Sequence, residues 1–185
     1  MTAYDLPTSL VVGGVGYAIR YGWRAVLDAL SACADPELDE QSKVYCMLAI
    51  MFPDFEKIPM EHWKEACQKV SEFIDCGQNK DKGHRPRMIS WEQDASLIIP
   101  EVNKVAGREV RLDPEIHWWT FFGWFMSIGE GVFASVLHIR KKKQQGKKLE
   151  KWEQEFYKEN KAIIDFSTSG TDSIRAEKDE ILKWL

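Results

Sequence analysis

The sequence predicts a mainly α protein, a domain of about six to eight helices behind a small N-terminal β-hairpin. Three observations carry this. From Trp23 onward, apolar residues recur at helical spacing in one segment after another. Pro or Gly punctuates most segment ends. One short stretch, residues 10–21, instead reads as paired strands.

In that stretch Leu10-Val11-Val12 and Tyr17-Ala18-Ile19 are strand-like, and Gly13-Gly14 supplies the turn. The glycines do not make a phosphate loop, because the third glycine of a dinucleotide fingerprint and a P-loop Lys are both missing. Trp23, Val26, Leu27 and Leu30 share one helical face. Asp35-Pro36-Glu37 breaks that helix and starts another, with Pro at its first turn. Val44, Met47, Leu48 and Met51 continue at helical spacing until Pro53. Pro59 opens the next helix, whose stripe is Trp63, Cys67, Val70 and Ile74, and Gly77 ends it.

The polar stretch 78–88 reads as a solvated connector. Ser90-Trp91-Glu92-Gln93 has the spacing of a capping box, with the Ser hydroxyl accepting from the third helical N–H and the Gln reaching back. Leu97, Ile98 and Ile99 follow, and Pro100 should kink or end that helix for want of an N–H. Gly107 is the expected stop for whatever continues. Asp113-Pro114-Glu115 opens a helix that is apolar nearly all round, from Ile116 to Ile128, and therefore buried on most sides. Gly129-Glu130-Gly131 interrupts it before 132–139 resumes. Leu149, Trp152, Phe156 and Ile163 mark a later helical stretch. Residues 1–166 are thus expected to form one helical domain. A Ser/Thr/Gly linker and a short amphipathic C-terminal helix fill 167–185.

Composition narrows the function classes. The chain has 185 residues, 44% hydrophobic and 29% charged, with a net charge of −4, so it is no disordered polyelectrolyte. Eight Trp demand a dry home in a core or on a partner. The four cysteines, Cys33, Cys46, Cys67 and Cys76, lack redox or zinc-knuckle spacing and read as free thiols. Cys67, Cys76 and His84 fit no standard metal pattern. The start shows no basic and apolar leader.

Residues 116–139 are long enough to raise a membrane span, which needs about 20 apolar residues. Glu130 argues against it, since a mid-membrane carboxylate costs on the order of 3 kcal/mol. The Gly-Glu-Gly break also leaves segments too short to cross. Residues 140–148 hold six Lys/Arg, yet Glu150, Glu153 and Glu155 lie close enough for helical ion pairs. This reads as a solvated, dipole-complementing helix end rather than a phosphate-binding surface. No nucleophile elbow, paired-histidine zinc helix or recognisable carboxylate pair is present. His117 reads as a hydrogen-bond donor near a helix N-terminus rather than a general base, and Asp94 as a structural hydrogen bonder rather than a catalytic group. Neither nucleic acid nor membrane is an expected partner.

The order of elements from Trp91 to Phe166 carries a resemblance. Trp91-Glu-Gln-Asp94-Ala95 is followed by Asn103-Lys-Val-Ala-Gly107, then His117-Trp118-Trp119-Thr120-Phe121. Ile139-Arg140-Lys141 and Gly146-Lys147-Lys148-Leu149-Glu150-Lys151-Trp152-Glu153 complete it. This resembles the bacteriophage gene-product-fifteen family of tailed phages and prophages of Gram-positive bacteria. The N-terminal half, with its Leu-Pro start, hairpin and Met47-to-Asp54 stretch, fits more loosely. The resemblance implies a non-enzymatic tail assembly chaperone that binds the tape measure protein in the host bacterial cytoplasm and is absent from the mature virion. A structural minor tail protein kept in the particle is the alternative. It implies no cofactor, metal or catalytic residue, and self-association is left open. Trp91, Asp94, Asn103, Gly107, His117, Trp118, Trp119 and Arg140 are the motif positions. The C-terminal segment, with Ile174, Ile181, Trp184 and Leu185, is too short to be stable alone and is expected either to bind a partner or to dock on its own core.

Overall fold

The computed structural model describes residues 4–77 and 88–166. The fold is mainly α, with eight helices and a two-stranded antiparallel hairpin among these residues. The chain groups into two compact units, which are described in turn. Unit 1 comprises Met1–Pro86 with Ala95–Gly129, and unit 2 comprises Arg87–Asp94 with Glu130–Leu185.

Unit 1 begins with β1 (Ser9–Val12) and β2 (Val15–Ala18), paired so that Val12 faces Val15 and Ser9 faces Ala18. In β1, Leu10 and Val12 point inward while Ser9 and Val11 face solvent, the alternation expected of a half-buried strand. Gly13 and Gly14 take φ of +57° and +79°, which the two-residue turn requires. Gly13 has a second constraint: a Cβ there would lie 2.7–2.9 Å from the His62 imidazole.

Helix α1 (Trp23–Ala34) buries Trp23, Val26 and Ala29, and α2 (Glu40–Met51) buries Leu48 and Met51. The second helix starts later than the Pro36 expectation. Asp39 is its cap, accepting from the Ser42 N–H at 2.7 Å, so the break extends over 35–39. A capping carboxylate supplies what a Pro cannot, an acceptor for an orphan N–H. At the other end of α2, Arg20 donates to the carbonyls of Ala49 and Ile50. Pro59 opens only a 3₁₀ turn, Met60–His62, and α3 (Trp63–Ile74) follows with Ala66, Val70 and Phe73 buried. Gly77, at φ +69°, closes this end as expected.

Helix α4 (Ala95–Ala106) continues through Pro100, so of the expected kink or stop the Pro does not impose a stop. Pro100 and Ser96, whose carbonyl loses its helical donor, both lie at exposed positions, where a missing helical hydrogen bond costs least. The stop comes at Gly107, φ +67°. Asp113-Pro114-Glu115 does not start the next helix. That helix, α5 (Trp118–Met126), begins three residues later and buries Trp118, Phe121 and Phe125. Trp23 and Phe121 stack at 4.6 Å between ring centroids. Only the face of Trp118, Phe121 and Phe125 is buried: Trp119, Thr120, Phe122 and Trp124 are half-buried and Gly123 and Met126 exposed, so the helix is not buried on most sides as its composition suggested.

Unit 2 contains α6 (Val132–Gln144), α7 (Lys151–Glu159) and the single turn α8 (Lys161–Ile164). Phe133, Val136, Ile139 and Ile164 form its apolar core. No helix among the described residues is long and apolar enough to cross a membrane.

Candidate functional site

The motif residues separate into two constellations, one in each unit. In unit 1, His117 is 7% exposed and caps α5. Its Nδ1 accepts from the Trp119 N–H at 3.1 Å, and its Nε2 lies 3.0 Å from the Pro7 carbonyl. A carbonyl only accepts and an N–H only donates, so the ring is the neutral tautomer protonated on Nε2. The sequence expectation of a histidine near a helix start holds, with the ring accepting at the cap as well as donating. Tyr21 stacks on the imidazole at 5.3 Å.

The next two residues anchor the end of α3. Trp118 Nε1–H donates to the Ile74 carbonyl and Trp119 Nε1–H to the Phe73 carbonyl, each at 2.8 Å. Both carbonyls belong to the last helical turn, which lacks intrahelical donors. Asn103 holds the turn around Gly107: its Oδ1 accepts from the Val110 N–H, and its Nδ2 donates to Glu109. Arg111 grips the same carboxylate, and with help from Asn103 holds it at about 2.

In unit 2 the centre is Arg140. The sequence places it at the head of a solvated basic run. Its side chain is instead buried and forms a bidentate pair with the fully buried Asp94, at 2.6 and 2.8 Å. Its remaining donors go to the carbonyls of Met88, Ile163 and Ile164, and its guanidinium lies 4.2 Å over the Phe166 ring. Asp94 has the structural role expected of it, and it also accepts from the Ser90 N–H. The capping arrangement at 90–94 therefore differs from the expected box. Ser90 Oγ does accept from the Gln93 N–H, while the Gln93 amide donates to the carbonyls of Ile163 and Asp165. Trp91 is half-buried beside this network.

Glu153 is the group the sequence underrated. It is buried, and its carboxylate accepts from Lys142 Nζ at 2.5 Å and from the Glu150 N–H at 2.6 Å, with His138 Nε2 at 2.8 Å. Burial pushes this carboxyl up, but the Lys142 ammonium, the Glu150 N–H and His138 outweigh it and hold it at about 2. Glu150 and Glu153 form a reciprocal capping box on α7, a Glu-x-x-Glu spacing visible in the sequence. Lys143 pairs with Asp165. The basic run is therefore partly neutralised by acidic residues, as expected.

These polar atoms are spent on the fold. Among the described residues no buried side-chain N or O lacks a hydrogen-bond partner, and no cluster of three metal-ligating side chains forms. Cys67 is half-buried, and burial pushes its thiol up. His84 and the C-terminal candidates Ile174, Ile181, Trp184 and Leu185 lie outside the described residues.

Open apolar surface lies elsewhere. In unit 2, Trp152 is 51% exposed and stacks on the exposed His138 at 6.3 Å, whereas the sequence singles out Trp184 as the Trp for a partner surface. In unit 1, Leu38, Gln41, Ser42, Tyr45, Cys46 and Trp63 line a groove of about 410 Å³.

No curated protein and no solved structure matches the chain. A family model described as Bacteriophage Gp15 protein matches residues 4–166, which takes in the hairpin, both motif constellations and all eight helices. The match covers most of the 185 residues, and the chain belongs to the Bacteriophage Gp15 protein family.

Proposed function

We propose that this phage protein is a non-enzymatic tail assembly chaperone that binds the tape measure protein in the host cytoplasm and leaves before the virion matures. Membership of the Gp15 family carries the reading. The chemistry of the chain is consistent with it. His117, Asp94 and Arg140, the polar residues at motif positions that a catalytic reading would use, spend their polar atoms on internal bonds. What faces outward includes Tyr45, Met60, Met126 and Trp152, side chains suited to adaptable apolar contact. A long helical client offers the matching chemistry to such surfaces.

Co-expression with the tape measure protein tests the reading. The chain should raise the client's soluble fraction and co-purify with it, and mass spectrometry should find it absent or trace in purified particles. Stoichiometric presence in particles would instead make it a minor tail component. Failure both to co-purify and to change solubility would end the chaperone reading.

A further inference from the structure

We infer that the groove between α2 and the start of α3 is a docking site for a basic amphipathic helix. Its floor and walls are apolar or weakly polar: Leu38, Tyr45, Cys46 and Trp63 with Gln41 and Ser42. Gln41, Ser42, Tyr45 and Cys46 lie at i, i+1, i+4 and i+5, one long stripe of α2. The groove has a rigid wall, because Tyr45, Phe55 and Trp63 pack as an aromatic trio with centroids 5.1–6.2 Å apart. Trp63 is further fixed by its Nε1–H donating to the Ile58 carbonyl. Tyr45 remains 52% exposed at the mouth, and Met60, three residues before Trp63, is 75% exposed. A volume of about 410 Å³ lies in the range that takes several apolar side chains together.

Charge identifies the occupant. Residues 35–65, which contain every lining residue, carry eight Asp/Glu against three Lys, a net −5 in a chain whose total is −4. Two of those three lysines are already paired, Lys43 with Glu40 and Lys57 with Asp54. Glu37, Asp39, Glu56 and Glu61 are exposed. Asp39 is held below its ordinary range by the Ser42 N–H, so it is ionised at neutral pH. An apolar groove inside an acidic surround selects a helix whose apolar stripe is flanked by Lys or Arg, and repels one flanked by carboxylates. This inference does not depend on the tape measure reading, and its test contains no other phage protein.

The probe is a labelled 18-residue synthetic helix of Leu and Lys, with Leu on one face. Its counterpart replaces every Lys by Glu. Fluorescence anisotropy with the full-length protein should show saturable binding of the Leu/Lys helix, weakened by added salt, and at least about tenfold weaker binding of the Leu/Glu helix. Tyr45→Ala should weaken the Leu/Lys helix by about tenfold per folded molecule, measured well below its melting temperature. The double reversal Glu37→Lys/Glu40→Lys, on exposed positions, should weaken the Leu/Lys helix and strengthen the Leu/Glu one. Absence of saturable binding, equal binding of the two helices, or indifference to both variants would overturn the assignment.

Discussion

The two units of this protein are stabilised by different chemistry. Unit 1 buries aromatic and aliphatic side chains from its hairpin and from α1 to α5, and His117, Trp118 and Trp119 make neutral hydrogen bonds there. Among its described residues, unit 2 buries four apolar side chains, Phe133, Val136, Ile139 and Ile164, alongside three charged ones, Asp94, Arg140 and Glu153. A small unit buries too little apolar surface to define its packing by hydrophobicity alone. A satisfied charge network fixes the geometry instead, and the cost is sensitivity to the loss of any one member. The larger apolar unit should be more tolerant at its polar positions.

That contrast is open to direct challenge, beginning where the effect is largest. Arg140→Ala leaves the Asp94 carboxylate buried without its cation and should cost about 3–5 kcal/mol, read by chemical denaturation. The double variant Asp94→Leu/Arg140→Met should recover only part of this. The carbonyls of Met88, Ile163 and Ile164 would still lose their donor. Full recovery would show that the carbonyl contacts contribute nothing.

In unit 1 the matching losses should be smaller. Trp118→Phe removes the donor to the Ile74 carbonyl and part of a fully buried ring, at about 2–3 kcal/mol in all. His117→Ala should cost about 1–2 kcal/mol as a lost helix cap. His117→Asn should restore part of that, because the Asn side-chain oxygen is a good cap acceptor. A loss in unit 1 as large as that from Arg140→Ala would erase the contrast.

Acid gives the finest resolution. The Glu153 carboxyl is held at about 2 in the folded chain against 4.5 in the unfolded one, so the unfolded chain takes up its proton first. The stabilisation is complete above about pH 4.5 and is lost as the pH falls from there towards 2. Denaturation midpoints between pH 6 and about 3 should fall more steeply in the wild type than in Glu153→Gln. Parallel profiles would mean that the Lys142 and His138 contacts do not govern Glu153.

Local signals were enough for much of unit 1. Gly13-Gly14 between two apolar pairs marks the hairpin, and Gly77 and Gly107 mark helix ends. The errors there are errors of competing local rules. Pro36 looked like a helix start, but Asp39 offers the carboxylate that accepts the orphan N–H. Pro100 looked like a kink or a stop, but it sits at an exposed position and the helix continues past it. Unit 2 was harder for a different reason. Arg140 reads as one of six cations in a run, and only its position four residues after Val136 and seven after Phe133 hints that it faces inward. Its partner Asp94 lies 46 residues away, where no periodicity points. The groove at Tyr45 and Trp63 is likewise a tertiary product: each residue reads as part of an ordinary helical stretch until the two are packed together.

The most recognisable residues of the family thus build the molecule, and partner contact is assigned to other surfaces. The most direct measurement is the soluble fraction of co-expressed tape measure protein, per folded molecule of chain, for the wild type and for His117→Asn. The account predicts equal values, because His117 serves only to cap α5 and hold Pro7. A His117→Asn protein that melts like the wild type yet leaves the tape measure protein insoluble would contradict it.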